Sequence, residues 1–170
     1  MIRAGILTVS DKGSRGERED RSGEVIRRIL EGIGAEVVRY AIVADEIPLI
    51  RDPLRDWADR DGLDLILTTG GTGFSQRDVT PEATAQILER LAPGISEAIR
   101  ADGRKKTPHA ILSRGTSGIR GKTLIVNLPG SPRGVEESLE IVLPALRHGI
   151  EILRGDAREC GSAVERGGRS

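Results

Sequence analysis

The chain has 170 residues, and its 26 Lys and Arg residues balance 26 Asp and Glu residues, so the formal net charge is zero. This length is enough for one domain with a sizeable core that needs no metal or disulfide staples. A neutral chain with 2% aromatic residues is a poor candidate for a nucleic-acid-binding protein or for one held on an anionic membrane. A single cysteine cannot form an internal disulfide or a zinc cluster, which suggests a cytoplasmic protein.

The first half of the chain alternates strand and helix patterns. Apolar runs predict strands at residues 2–9 and 63–69, and an alternating pattern predicts one at residues 36–43. Apolar residues at helical spacing predict two helices between them, from about residue 22 to 33 and from about 47 to 58. Pro53 lies inside the second helix pattern and indicates either a kink or a new helix start capped by Asp52. No apolar run is long enough for a signal peptide or a membrane span.

The second half continues the alternation. Thr80-Pro81-Glu82 predicts a helix that is capped by Thr80 and runs to about Leu91. Further elements are predicted as a short helix at 95–100, a loop at 101–108, strands at 110–113 and 119–127, and a helix from 132 to 153. Pro144 should kink that last helix. We expect residues 1–155 to form a single domain and the polar residues 156–170 to form a disordered tail.

Alternating strands and helices predict an α/β protein, a three-layer α/β/α sandwich with a mostly parallel central sheet. Ligands of such sheets bind at the carboxyl ends of the strands, near a switch in strand order. The functional loops should therefore be residues 10–21, 44–46, 70–80 and 128–132. The glycines, aspartates and hydroxyl side chains of the sequence concentrate in the same four loops.

Two of these loops have the composition of anion-binding sites. Gly70-Gly71-Thr72-Gly73 follows a buried strand, and glycines let backbone N–H groups approach an anion closely. The motif alone is equally compatible with a tight turn, and it is neither a Walker loop nor a dinucleotide fingerprint. Gly130-Ser131-Pro132 begins a helix, whose free N–H groups suit a phosphate, although Ser131 could simply cap that helix.

Four aspartates, Asp11, Asp20, Asp45 and Asp78, fall on loops expected at one edge of the sheet. Each has an ordinary alternative, because Asp45 could cap the next helix, Asp78 could bind loop amides, and Asp11 or Asp20 could be caps. Carboxylates beside anion-binding loops together suggest Mg²⁺ with a phosphate ester. The two histidines lack suitably spaced partners, and Cys160 in the tail is expected to be inert.

These motifs, taken in order, are similar to those of a known family. The matching segments are Ile6-Leu7-Thr8-Val9-Ser10-Asp11, Asp20-Arg21-Ser22-Gly23, Asp45-Glu46, Thr69-Gly70-Gly71-Thr72-Gly73, Arg77-Asp78-Val79-Thr80-Pro81-Glu82-Ala83-Thr84, Ile111-Leu112-Ser113-Arg114 and Leu128-Pro129-Gly130-Ser131-Pro132. Over about residues 2–155 the chain resembles the molybdopterin adenylyltransferases of the MogA type, which are related to MoaB proteins and to the gephyrin G domain.

The resemblance implies an enzyme of molybdenum cofactor biosynthesis. Such an enzyme transfers the adenylyl group of ATP to the terminal phosphate of molybdopterin, releases pyrophosphate and needs Mg²⁺. It implies a homotrimer and a possible partner protein for molybdate insertion. It gives Asp45 and Asp78 the catalytic and metal-holding positions. The implied substrate-binding positions are Ser10, Asp11, Asp20, Ser22, Gly70, Gly71, Thr72, Gly73, Ser113, Arg114, Gly130, Ser131 and Pro132.

Three alternatives stay open at this stage. The chain could be a MoaB-like pterin-binding protein without significant adenylyl transfer, a trimeric scaffold, or a nucleotide-dependent α/β enzyme of other specificity. Intact Asp78 within RDVTPEAT favours the transferase over the first alternative. The lack of a suitable histidine is compatible with adenylyl transfer, because a phosphate nucleophile is already anionic and needs no general base.

Overall fold

The computed structural model describes residues 1–156, and its architecture is a central sheet between two layers of helices. The strands are β1 (Arg3–Val9), β2 (Glu36–Val43), β3 (Leu65–Thr69), β4 (Arg90–Leu91), β5 (Ser117–Arg120) and β6 (Thr123–Leu128). The helices are α1 (Asp11–Ser14), α2 (Arg21–Gly32), α3 (Ile47–Asp59), α4 (Thr80–Ala85), α5 (Pro93–Arg104) and α6 (Pro132–Arg154), with a 3-10 helix at Pro108–Leu112.

The six strands form one sheet in the order β2-β1-β3-β6-β5-β4. The first four strands of that order run parallel, while β5 and β4 add an antiparallel edge. The prediction of a mostly parallel sheet is confirmed. The chain moves outward from β1 to β2 and then to the other side of β1 for β3, so the order switches between β1 and β3. Sheets of this kind bind ligands at that switch.

The central strands are buried on both faces, and successive side chains enter opposite layers. Ile6 and Leu67 belong to a core cluster that includes residues of α2, α5 and α6. Leu7 and Ile66 belong to a second cluster with residues of α3 and α4. Strands that must bury both faces have continuous apolar runs instead of alternation, as these do. The three-layer α/β/α prediction is therefore confirmed.

Strand register brings the functional loops to one edge. Val9 pairs with Val43, and Thr69 pairs with Leu128 at the ends of their strands. Thr8 is level with Thr69 across the β1–β3 pair, so all four parallel strands end together. The loops that follow them are therefore neighbours, as the sequence predicts.

Two predicted strands are wrong. The sequence predicts residues 110–113 to be extended, but Pro108–Leu112 is a 3-10 helix whose first turn is capped by Thr107, with its hydroxyl accepting from His109 N–H at 3.3 Å. Residues 119–127 are two antiparallel strands instead of one. The reversal falls at Gly121, whose positive φ of 55° suits a tight turn.

The helix predicted from Thr80 to Leu91 ends at Ala85. The remainder turns back so that Arg90 and Leu91 pair with β5. Thr80 is not the cap of α4, because its hydroxyl donates to Gly70 O at 2.9 Å instead of accepting from the helix. The helix predicted at 95–100 is longer than expected, because α5 begins at Pro93 and extends into the predicted loop as far as Arg104.

The two proline-containing helices are each one continuous element. α3 passes through Pro53, so the alternative of a new helix start at that point is wrong. α6 likewise passes through Pro144. The predicted tail, with Cys160, lies outside the described residues apart from position 156. Within residues 1–156 we find no helix of sufficient length and apolarity to span a bilayer.

Candidate active site

A cavity of about 800 Å³ lies at the carboxyl ends of the parallel strands. Its lining includes most of the predicted site residues: Ser10, Asp11, Asp20, Ser22, Asp45, Gly70, Gly71, Asp78, Gly130, Ser131 and Pro132. Three cationic lining residues, Lys12, Arg18 and Arg21, were not among the predicted site residues. Their position in the sequence could have indicated them, because all three fall within residues 10–21, the predicted loop after the first strand.

The acidic side of the cavity is built from the ends of β1 and β2. Asp11 N–H donates to Asp45 Oδ2 at 2.9 Å, and Asp45 N–H donates to Asp11 Oδ1 at 3.0 Å. Arg77 donates two further bonds to the Asp11 carboxylate, of 2.8 and 3.0 Å. Hydrogen bonds from Arg77 and from the Asp45 N–H lower the pKa of Asp11 to about 2. Asp11 is therefore an ionised carboxylate that already has a cationic partner.

The pKa of Asp45 is shifted in the opposite direction from that of Asp11. Partial burial raises its pKa, and the neighbouring charges of Asp11 and Asp78 raise it further. Asp78 comes from the loop after β3, where its Oδ2 accepts from Ser75 N–H at 3.0 Å. The expected loop-amide bond of Asp78 is thus present, and it leaves the Oδ1 atom available. Two carboxylates that repel each other at the edge of a cavity favour a bound cation.

The glycine loop is shaped around these carboxylates. A Cβ atom on Gly71 would lie 3.1 Å from Asp45 Oδ1, and one on Gly73 would lie 2.8 Å from Asp78 Oδ2. Gly70 has a φ of +95°, and a Cβ there would lie 2.3 Å from Val9 O. The three glycines therefore leave space beside the carboxylates and permit the close approach to β1.

Hydroxyl groups at the end of β3 and in α2 hold the turn that precedes α6. Thr69 Oγ1 donates to Pro129 O at 2.6 Å, and Ser22 Oγ donates to Gly130 O at 2.6 Å. Ser131 caps α6, because its Oγ accepts from Gly134 N–H at 3.0 Å. The capping interpretation and a phosphate site can both hold, since a helix start attracts anions through its remaining N–H groups and dipole.

Asp20 differs from the other three aspartates because both of its oxygens serve the fold. It caps α2 by accepting from Gly23 N–H at 2.9 Å, and it accepts from Thr8 Oγ1 at 2.6 Å and from Tyr40 OH. Burial and the Asp20 carboxylate together raise the pKa of Tyr40. Protein donors engage both oxygens of Asp20 and of Asp11, whereas Asp45 and Asp78 each accept through Oδ2. Asp45 and Asp78 are therefore the pair that could hold a metal ion through Oδ1.

Four predicted residues lie outside this cavity: Thr72, Gly73, Ser113 and Arg114. Ser113 lines a second cavity of about 420 Å³ between α5, the 3-10 helix and the start of α6, which shares Ser131 with the first cavity. Arg114 lines neither cavity. Its guanidinium instead donates to Gly73 O at 2.8 Å, to Asp78 O at 2.7 Å and to the Glu82 carboxylate.

The donor set fits Mg²⁺ shared with a phosphorylated ligand. The described residues contain no group of three or more His, Cys, Asp or Glu side chains that could hold a metal without help. Mg²⁺ commonly takes one or two carboxylates and completes its shell with water and substrate phosphates. Neither His nor Cys is among the described residues that line the larger cavity. Fold and site together define an α/β protein with a small-molecule site at the carboxyl ends of its parallel strands, lined by carboxylates and glycine-rich turns.

Comparison with known proteins identifies the family. The chain belongs to the family described as probable molybdopterin binding domain, which matches residues 5–148. The molybdopterin adenylyltransferase of Helicobacter pylori strain J99 is 43% identical over 157 residues, which cover 91% of this chain and 89% of that protein.

Solved structures share both fold and sequence with the chain. The molybdopterin biosynthesis enzyme MoaB from Thermus thermophilus is 58% identical with a TM-score of 0.86, covering 91% of this chain and 98% of that one. A structure of MogA is 42% identical with a TM-score of 0.84, covering 89% and 99% respectively. The resemblance and the fold class inferred from the sequence are confirmed.

Proposed function

We propose that this chain transfers the adenylyl group of ATP to the terminal phosphate of molybdopterin, in the biosynthesis of the molybdenum cofactor. The observation that carries the proposal is the convergence of Asp45, Asp78, the glycine loop and the start of α6 on one cavity. The Helicobacter pylori relative bears the name molybdopterin adenylyltransferase, and the chain covers 89% of its length.

The chemistry requires little proton transfer from the protein. A terminal phosphate oxygen of molybdopterin attacks the α-phosphorus of ATP, forming a new P–O bond. The bond between the α-phosphorus and its bridging oxygen to the β-phosphate breaks, and pyrophosphate leaves with that electron pair. Because the attacking phosphate is already anionic, the task of the protein is to position two anions and stabilise the spread charge.

Asp45 and Asp78 would hold Mg²⁺ between the protein and the ATP phosphates. When bound, the ion supplies positive charge where the polyphosphate and the attacking phosphate meet. Lys12 and Arg18 line the same cavity and add positive charge of the protein's own for the phosphates. The glycine loop and the N-terminus of α6 offer backbone N–H groups to phosphate oxygens.

The two cavities suggest how two substrates are accommodated. The larger, of about 800 Å³, holds the carboxylates and suits the nucleotide phosphates, while the smaller, of about 420 Å³, suits the pterin. Both volumes fall within the usual range for small-molecule sites, about 300–1,000 Å³. Ser131 lines both, so the turn before α6 is the place where the two substrates would meet. Ser113 then contributes to the pterin side.

A second candidate is pterin binding without significant adenylyl transfer. The observation that favours it is the 58% identity to the Thermus thermophilus protein named MoaB. The intact pair of Asp45 and Asp78 favours the transferase. The homotrimer, the cytoplasmic location and the partner for molybdate insertion stay predictions from the sequence.

A single anaerobic reaction distinguishes the two candidates. Purified protein is mixed with Mg-ATP and molybdopterin, and adenylylated pterin and pyrophosphate are quantified against a reaction without pterin. Formation of both products in equal amounts, dependent on pterin, supports the transferase. Pterin binding without product supports the second candidate, a pterin-binding protein. Absence of pterin binding contradicts both candidate functions.

A further inference from the structure

Arg114 ties the loop that carries Asp78 to the body of the fold. Besides the three bonds from its guanidinium to Gly73 O, Asp78 O and Glu82, its backbone N–H donates to Thr72 O at 2.8 Å. The four bonds span the loop from its beginning after β3 to the first turn of α4. Arg114 itself follows the 3-10 helix and lies 36 residues away from Asp78 along the chain.

The loop needs such a tie because most of it has little packing. All four residues from Phe74 to Arg77 are exposed, and the side chain of Phe74 is 70% exposed. Within the loop, Ser75 and Asp78 bond to each other, and the Arg77 side chain pairs with Asp11 at the end of β1. That pair holds the loop through a long, half-exposed side chain. The Arg114 bonds instead hold main-chain oxygens on both sides of the exposed stretch.

We propose that Arg114 is a positioning residue, which fixes the Asp78 carboxylate opposite Asp45, and that it does not bind the pterin phosphate. This inference deepens the proposed function and rests on it for its kinetic consequences. Three of the five N–H donors of the guanidinium are engaged by protein acceptors, one of them a carboxylate. A guanidinium that is already paired with a carboxylate and lines neither cavity is a poor phosphate ligand.

The planar fork of arginine explains why this position needs it. Its Nε, Nη1 and Nη2 atoms reach three acceptors in different directions at once, which the compact ammonium of lysine cannot do. Arg114→Lys therefore keeps the positive charge and the backbone bond to Thr72 O but loses the three guanidinium bonds. If Arg114 bound phosphate instead, Arg114→Lys should keep much of its function, because lysine also binds phosphate as a point charge.

Arg120 provides a matched control in the same chain. It donates to both oxygens of Asp59, at 2.8 and 2.7 Å, and to Ile87 O at 3.0 Å. Like Arg114 it joins a carboxylate and a main-chain oxygen of a neighbouring segment, and it also lies outside both cavities. It makes no bond to the loop that carries Asp78, so Arg120→Lys should cost similar stability without affecting the site.

Hydrogen exchange and steady-state kinetics test the proposal together. We expect Arg114→Lys to raise amide exchange in residues 73–82 by about tenfold. We expect it to lower kcat by about 10–100-fold, as for residues that orient metal ligands, with the KM for molybdopterin unchanged. Arg120→Lys should leave exchange in residues 73–82 and kcat unchanged. Unchanged exchange in Arg114→Lys, or a raised KM for molybdopterin at constant kcat, would overturn the proposal.

Glu82→Gln distinguishes a positioning role of Arg114 from a phosphate-binding role if Arg114→Lys fails to fold. The glutamine weakens the tie without removing the guanidinium, so a positioning role predicts faster exchange in residues 73–82 and a lower kcat. A phosphate-binding Arg114, freed from its carboxylate, would instead lower the KM for molybdopterin with unchanged exchange. If the unsubstituted chain shows no adenylyl transfer, the proposed function fails, while the exchange measurements still decide whether Arg114 anchors the loop.

Discussion

Asp11 and Asp45 exchange hydrogen bonds between the ends of two adjacent strands, each backbone N–H donating to the other side chain, at 2.9 and 3.0 Å. This reciprocal pair joins the loops after β1 and β2 and sets the direction of the Asp45 carboxylate. Arg77 completes the arrangement by neutralising Asp11. Asp11 thus supports Asp45, and its place among the substrate-binding positions, which the resemblance implies, stays a prediction.

The pair of Asp11 and Arg77 should make stability depend on pH in acid. The pKa of Asp11 is lowered from 3.8 to about 2, so the folded state binds this proton less tightly than the unfolded state. Its stabilising contribution is complete above about pH 4 and is lost as pH falls toward about 2. As pH falls through that window, the free energy of unfolding of Asp11→Asn should decrease less than that of the unsubstituted chain. Urea unfolding at each pH measures the difference.

A double-mutant cycle assigns that effect to the pair. Arg77→Gln should flatten the same pH dependence, and the double variant should add nothing further. Additive effects of the two substitutions would show that Asp11 owes its lowered pKa to another source.

Removing the carboxylate of Asp45 or of Asp78, the two proposed metal ligands, should abolish most turnover. Asp45→Asn and Asp78→Asn are each expected to lower kcat by about a hundredfold, corresponding to about 3 kcal/mol of transition-state stabilisation. Both substitutions preserve the size of the side chain, so the melting temperature should change little. Pyrophosphate release dependent on pterin measures the rate, and near-normal turnover in both variants would refute the assigned roles.

Asp45→Asn should also stabilise the protein slightly when no metal is present. Burial and the charges of Asp11 and Asp78 raise the pKa of Asp45, so its ionised form destabilises the fold above that raised pKa. The melting temperature of Asp45→Asn in EDTA should therefore exceed that of the unsubstituted chain at neutral pH. The difference should vanish as pH falls and Asp45 gains its proton. A lower melting temperature at neutral pH would contradict the expected electrostatic cost.

Gly70 should tolerate substitution much less well than another glycine with positive φ. At Gly70, with φ +95°, a Cβ would meet Val9 O at 2.3 Å. At Gly62, with φ +60°, a Cβ would meet nothing within 4 Å. We expect Gly62→Ala to cost about 1 kcal/mol from backbone strain alone. Gly70→Ala should cost about 3 kcal/mol or more, because the strand and loop must separate. Equal costs in chemical denaturation would refute the close-approach argument.

Local pattern was sufficient for the parallel part of the fold. The apolar runs of β1 and β3, the alternation of β2 and the helical spacing of α2 and α3 predicted those elements to within a few residues, because each is a strong local signal. The antiparallel edge was not predictable in this way. The two-residue strand at Arg90–Leu91 has no pattern of its own and is defined by its pairing with β5. Residues 110–112 have a strand-like composition, but the preceding Thr107-Pro108 begins a 3-10 helix.

Which chemical groups stand at the ends of the strands (the glycines, the hydroxyls and the four aspartates) can be read from the local sequence pattern alone. How those groups are used depends on contacts between distant segments. Asp20 is engaged by Tyr40, which lies 20 residues away, Asp11 by Arg77, 66 residues away, and Arg114 by the loop of Asp78. Such partners are set by strand order and register, which no local pattern encodes. The fold thereby leaves one oxygen each of Asp45 and Asp78, both in the cavity lining, for the proposed metal ion.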